Sequence, residues 1–319
     1  MSSFISKGRY VMEKFEQIFA FMNEHAEKHE QQGLPYLEGL LETLEAILDG
    51  KLTLTVEAPN KEDMRKAIQI AILKGMRKNT QPNHQMTPDS LGLLLSYFVE
   101  QFMETELAQG PIKVADFALG TGNLMYTLMN ALEGKIEATG VEVDEVLIRL
   151  AAATADLVEQ PIALYRQDSL ESLLVDPVDA IVCDLPVGYY PNEEVALDYE
   201  LCATEGMSFS HHLFIEQSLK HTRDGGYLFF LAPANLFSTD EAPKLHKFIK
   251  QHAWIQSVIQ LPETMFSSKA HEKTIVVLQK QGEGYKAPRE VLLAKVPNMT
   301  NKNAMAMFFE KVQMWKEGK

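Results

Sequence analysis

The chain has 319 residues, 46% of them hydrophobic, enough for one large or two smaller domains with a sizeable core. Its net charge of −14 argues against strong general affinity for nucleic acid, which depends on Lys and Arg displacing counterions. Two cysteines, Cys183 and Cys202, make neither a disulfide framework nor a metal quartet, and the nine histidines show no metal spacing, so no metal is expected.

No run of eighteen apolar residues occurs, and the stretch Met1 to Arg9 lacks an apolar core of useful length. The expectation is a soluble, cytoplasmic protein with no membrane association. The charge is uneven: Lys244 to Lys319 holds 13 Lys plus Arg against 6 Glu and no Asp, a surplus of +7 against −21 for the residues before it. A basic flank of that kind is either a solvated lysine-rich surface or a face for a phosphate backbone.

Residues 8 to about 78 read as helical. Val11, Met12, Phe15, Ile18, Phe19 and Met22 share one helical face, and Leu37, Leu40, Leu41, Leu44, Ile47 and Leu48 share another, closed by Gly50. Lys51 to Ala58 alternates apolar and polar residues, as a short strand or an extended linker would. Asn60 is placed to cap a third helix carrying Met64, Ala67, Ile68, Ala71 and Ile72. The polar stretch Asn79 to Gln85, with Pro82, is the best boundary, giving a helical domain over 1–82 and a second domain over 83–319. Met86-Thr87-Pro88-Asp89 then opens a helix, with Thr87 as N-cap and Pro88 in the first turn.

The centre of the second domain is Val114-Ala115-Asp116-Phe117-Ala118-Leu119-Gly120-Thr121-Gly122-Asn123-Leu124. A buried strand from Ile112 runs into a Gly-x-Gly turn, and an apolar helix follows from Leu124 to Leu132. A second strand, Ile136 to Val141, ends at Glu142, about 20 residues after the glycines, where an acid can bind ribose hydroxyls. A third, Ile162 to Tyr165, precedes Asp168, which could meet an adenine amino group. Such strand-end acids share the carboxyl edge of a parallel sheet, where open α/β sheets bind ligands. The third glycine of a dinucleotide-binding turn would fall at Met125, which disfavours a nicotinamide cofactor.

Further strands read at Asp179 to Cys183, Gly226 to Leu231, Ile255 to Gln260 and Thr274 to Leu278, with helices at Phe209 to Thr222 and Ala242 to Gln251. Arg289 to Val296 suggests one more strand and Ala304 to Trp315 a final helix. Alternating strands and helices imply a mostly parallel sheet covered on both faces.

The Asp116 to Asn123 motif, with the acids after it, resembles that of the class I S-adenosylmethionine (SAM) methyltransferases, in the form used by amino-methylating DNA enzymes; Phe117 stands where those often carry proline. The fold implied is α/β: a seven-stranded, mostly parallel Rossmann-like methyltransferase sheet with a small N-terminal helical domain. The strand ending at Cys183 leads into Asp184-Leu185-Pro186-Val187-Gly188-Tyr189-Tyr190. At this point amino-methylating enzymes carry Asn, Asp or Ser, then Pro-Pro, then Tyr or Phe. A side-chain oxygen and a backbone carbonyl accept the two amine hydrogens there, and an aromatic ring stacks on an extruded base. Here Leu185 replaces the first proline and Val187 the aromatic residue, so Tyr189 or Tyr190 would have to supply the ring.

The segments Gln260 to Phe266 and Lys273 to Leu278 are similar to the last hairpin of type I restriction-modification methylation subunits, and the ordered set of motifs over most of the chain resembles that of stand-alone adenine-specific DNA methylase-like proteins of Gram-positive bacteria. The resemblance implies an adenine-N6 DNA methyltransferase. Thr87 and Pro88 would flank the methionine part of SAM, and Asp116, Ala118, Gly120, Gly122 and Asn123 would form its cradle. Glu142 with Val143 would hold the ribose, and Asp168 with Ser169 the adenine edge. Asp184 and the Leu185 carbonyl would orient the amine, with Pro186 shaping the loop and Tyr189 offering the ring. About 40 residues follow Leu278, short for a target-recognition domain, so the implied partners are DNA, weakly bound by the chain alone, and a specificity protein. The divergent loop and the acidic charge leave two alternatives: a methyltransferase for RNA, protein or a small molecule, and a non-catalytic SAM-binding interaction protein.

Overall fold

The computed structural model describes residues 13–56, 59–78 and 86–318. Val11, Met12, the last two residues of the proposed strand or linker (Glu57 and Ala58) and the whole 79–85 boundary stretch therefore lie outside the described residues. The chain forms two compact units, one of residues 1–86 with 149–161, the other of 87–148 with 162–319.

The first unit is built on three helices: α1 (Lys14–Gln31), α2 (Tyr36–Leu48) and α3 (Lys61–Lys78). Each apolar stripe turns inward, burying Ile18, Met22, Leu40, Leu44, Ile68 and Ile72. Gly75 lets α3 approach α2 closely, since a Cβ there would lie 2.3 Å from Cδ2 of Leu37. Asn60 caps α3 as expected, its side-chain oxygen accepting the Asp63 amide at 2.7 Å. Lys51 to Val56 forms no strand.

In the second unit, α4 (Asp89–Phe102) and the short α5 (Glu104–Gln109) precede a βα alternation: β1 (Ile112–Asp116), α6 (Asn123–Ala131), β2 (Ile136–Glu142), α7 (Glu145–Val158), β3 (Ile162–Arg166) and β4 (Val178–Asp184). Residues of α7 from Arg149 onward belong to the first unit, where Arg149 pairs with Glu45 at 2.8 Å. After β4 come α8 (Glu193–Ala196), α9 (Ser210–Lys220), β5 (Thr222–Pro233), α10 (Ala242–His252), β6 (Ala253–Gln260), β7 (Lys273–Lys280), β8 (Leu292–Lys295) and α11 (Lys302–Lys316). One sheet has the order β3-β2-β1-β4-β5-β7-β6-β8. It has eight strands where seven were expected: the apolar pattern at 289–296 does make a strand, a four-residue one pairing in parallel with β6 at the sheet edge.

All pairings are parallel except those of β7, which is antiparallel to β5 and β6. Winding runs outward from β1 to β2 and β3, then returns to place β4 on the other side of β1. Such a reversal, here between β1 and β4, is where open α/β sheets bind ligands, at the carboxyl ends of the strands. Helices on both faces bury the strands; Ala115, Ile181, Leu228, Phe230 and Leu278 are fully buried. The antiparallel sense of β7 has a local consequence: its first residue, Lys273, pairs with Pro233 at the carboxyl end of β5.

Candidate functional site

The loop between β1 and α6 turns on two left-handed glycines, Gly120 (φ +58°) and Gly122 (φ +82°). The first has open space where a Cβ would stand; at the second a Cβ would lie 2.5 Å from the Tyr126 ring. Gly120 thus leaves its backbone open to a ligand, while Gly122 is required by packing and by φ. Asp116, 1% exposed, accepts the Ala118 amide at 2.9 Å and shapes the loop from beneath. Burial raises its carboxyl to about 7; the hydrogen bonds from Ala118 and Cys183 oppose this, and the nearby charges of Asp184 and Glu142 add to it.

Glu142, at the end of β2, reaches back over the loop. Its carboxylate accepts the Gly120 amide at 2.8 Å and the Asp144 amide at 2.9 Å. Val143 beside it is 61% exposed. After β3, Asp168 accepts the Leu170 amide at 3.0 Å and the Tyr190 hydroxyl at 2.7 Å. Ser169 is buried and donates its hydroxyl to the Phe117 carbonyl at 2.5 Å, tying the β3 loop to the end of β1.

The segment before α4 also arrives here. Asn123, at the start of α6, donates through its side-chain nitrogen to the Thr87 carbonyl at 2.7 Å and to Asp89 at 2.9 Å. Thr87 is not the helix cap that its position suggested. Pro88 is extended (φ −65°, ψ 148°) and stands at the N-cap, so α4 begins at Asp89. The Thr87 hydroxyl is instead donated to Asp184 at 2.8 Å.

Asp184 ends β4 with both carboxylate oxygens engaged, Oδ2 by Thr87 and Oδ1 by the Lys273 ammonium. Lys273 was missed in the sequence; its one signal was its place as first residue of the penultimate apolar strand. Among the described residues it is the cation ion-paired to this group of acids. Leu185 is buried, its amide donating to the Leu231 carbonyl at 3.0 Å, while Pro186 is half-buried and Val187 is 41% exposed. The loop is then pinned to the segment entering α9, the Ser210 amide donating to the Gly188 carbonyl and the Tyr190 amide to the Ser208 carbonyl. The two tyrosines part company. Tyr190 is buried, and burial together with the Asp168 carboxylate pushes its phenol up. Tyr189 is 57% exposed and stacks on Phe209, ring centroids 5.1 Å apart at 15°.

A cavity of about 430 Å³ is lined by that stacked pair together with Met207, Glu205, Asp240 and Glu241. Among the described residues no group of three or more His, Cys, Asp or Glu could hold a metal ion, and no helix is long and apolar enough to cross a membrane.

The edge therefore offers an open glycine backbone, ionisable acids after three successive strands, and an acid-led loop at the switch point. This donor set fits a nucleoside cofactor with ribose hydroxyls and an adenine amino group.

The N-6 DNA Methylase family model matches residues 79–315. The uncharacterized protein YtxK of Bacillus subtilis (strain 168) is 47% identical over 290 residues, covering 91% of this chain and 86% of YtxK. A crystal structure from Listeria monocytogenes, described as a class I SAM-dependent methyltransferase, is 40% identical, with a TM-score of 0.88 over 95% of this chain and 99% of that one. The methyltransferase subunit of a type I restriction-modification system from Streptococcus thermophilus shares the fold: TM-score 0.63, 14% identity, over 94% of this chain and 69% of that one. With its Rossmann-like sheet and strand-end acids, this chain belongs to the N-6 DNA Methylase family of class I methyltransferases, whose cofactor is S-adenosyl-L-methionine.

Proposed function

We propose that the protein transfers a methyl group from SAM to an exocyclic amino nitrogen, with N6 of adenine in DNA as the acceptor. The carrying observation is that Asp184 stands beside the glycine loop at the switch point, in contact with Thr87 of the segment that Asn123 ties to that loop. When bound, SAM supplies an electrophilic methyl carbon. Thr87 and Pro88 flank its methionine part, and Asp116, Ala118, Gly120, Gly122 and Asn123 form the cradle. Glu142 and Val143 take the ribose. Asp168 takes the adenine edge, with Ser169 serving chiefly to hold the loop.

A conjugated amine is a poor nucleophile. Asp184 and the Leu185 carbonyl would accept its two hydrogens and so orient its nitrogen lone pair for methyl transfer. Pro186 holds the loop, and Tyr189, exposed and backed by Phe209, offers the face on which a base stacks. Residues 83–319 form the methyltransferase domain and 1–82 a helical accessory, with DNA recognition shared with a specificity partner.

A second reading rests on the cavity beside Tyr189. Glu205, Asp240 and Glu241 repel a polyanion, which favours an acceptor other than DNA, a protein or small-molecule amine. Methyl transfer from radiolabelled SAM to methylation-free DNA, with D184A as control and SAM binding followed in the same tube, separates the two. Label in DNA that vanishes in D184A supports the first. Bound SAM with no label in DNA, and label in a protein or small-molecule amine instead, overturns it.

A further inference from the structure

We propose that Lys273 is a positioning residue, which with Thr87 clamps the Asp184 carboxylate in one orientation so that its remaining lone pairs face the substrate amine. The proposal rests on the reading of Asp184 as the amine acceptor.

The geometry is specific. The Lys273 ammonium engages Oδ1 and the Thr87 hydroxyl engages Oδ2 at 2.8 Å. A carboxylate has about four lone-pair sites, so these two contacts fix its plane and still leave each oxygen able to accept one N–H. The side chains of Asp184 and Lys273 are 15% and 18% exposed, too buried for a casual surface pair. A lysine is drawn into such a place only by a partner, and a carboxylate there without one would be poorly solvated.

The surroundings give the lysine its purpose. Asp116 from β1 lies close enough for its charge to interact with those of Glu142 from β2 and of Asp184, and the Cys183 thiol is buried beside Asp116 and Asp184. A cation at Oδ1 and a hydroxyl at Oδ2 hold the Asp184 carboxylate in place against these neighbouring charges. The antiparallel sense of β7 makes the contact available: only its first residue can return a long side chain to the carboxyl edge from the far side of β5.

The test uses the full-length protein as wild type, K273M, K273R, D184N and the D184N/K273M double variant. Methyl transfer is measured at saturating SAM, SAM affinity by calorimetry, and the Asp184 carboxylate band by infrared difference against D184N. The expected result is a loss of about tenfold to a hundredfold in kcat for K273M, with SAM affinity within about twofold and substantial recovery in K273R. In the D184N background the added K273M change has no further effect, because a neutral amide needs no counter-charge. The Asp184 band moves in K273M and returns in K273R. Should K273M transfer as fast as wild type, or lose as much activity in the D184N background as alone, the proposal is overturned. Where wild type methylates no acceptor at all, the methyl-transfer reading fails separately; the infrared band still decides the clamp, an unmoved band refuting it and a moved one supporting it.

Discussion

Tyr190 donates its hydroxyl to Asp168 at 2.7 Å, so the loop after β4 is bonded to the acid after β3. One end of the proposed acceptor loop thereby rests on a residue proposed for the adenine edge.

Separating these two roles is the first prediction. D168A is expected to weaken SAM binding about tenfold, roughly one lost charge-assisted hydrogen bond. Y190F leaves the carboxylate free for the cofactor and is expected to keep SAM affinity within about threefold, while losing about 1 kcal/mol of stability in urea denaturation. Equal loss of SAM affinity in both variants would assign the two residues one shared role.

Gly122 tests the loop geometry. A side chain there meets the Tyr126 ring at 2.5 Å and must also adopt φ +82°. G122A is expected to cost about 1–3 kcal/mol and to weaken SAM binding. G120A meets open space, so its stability cost is confined to the left-handed φ of +58° and is expected to be smaller. Paired denaturation curves check the order.

Asp116 carries a pH dependence. Its carboxyl rises from the ordinary 3.8 to about 7 on folding, so between those values the native state holds a proton that the unfolded chain has lost. Its contribution therefore weakens as pH rises through that window and is most unfavourable above about 7. D116N keeps an oxygen for the Ala118 amide and carries no charge. It is expected to gain stability relative to wild type as pH goes from 5 to 8, read as the difference between their melting temperatures at each pH.

Tyr189 tests base stacking. Because its ring is exposed and stacks on Phe209 with centroids 5.1 Å apart, Y189A is expected to leave SAM affinity unchanged. It should raise KM for a nucleic-acid acceptor about tenfold or more, the loss of roughly 1–3 kcal/mol of stacking. An unchanged KM for DNA, with impaired transfer to a cationic amine, would point instead to the acid-lined cavity.

The strand, the Gly-x-Gly turn and the acids at Glu142 and Asp168 were legible because each is a short-range pattern. Apolar runs mark buried strands, glycines mark the left-handed turn, and a βα repeat carries the end of each strand to one edge. The helical stripes of α2 and α3 were legible for the same reason. Other features could not be read that way. Thr87 before Pro88 looked like a cap, but a proline with extended ψ stands between it and the helix, and its hydroxyl crosses to Asp184 instead. Two adjacent tyrosines were equivalent on paper, whereas pairing of Tyr189 with Phe209 turns Tyr190 inward to Asp168. The position of β8 at the edge rested on a strand only four residues long.

The sequence thus determined a βα sheet and the edge at which its acids gather by residue pattern, and SAM by family resemblance. Tertiary structure alone decided which donors those acids meet. Lys273 lies 89 residues from Asp184 in the chain. It arrives because β7 runs against its neighbours, and strand direction follows from how the whole sheet pairs rather than from any local spacing.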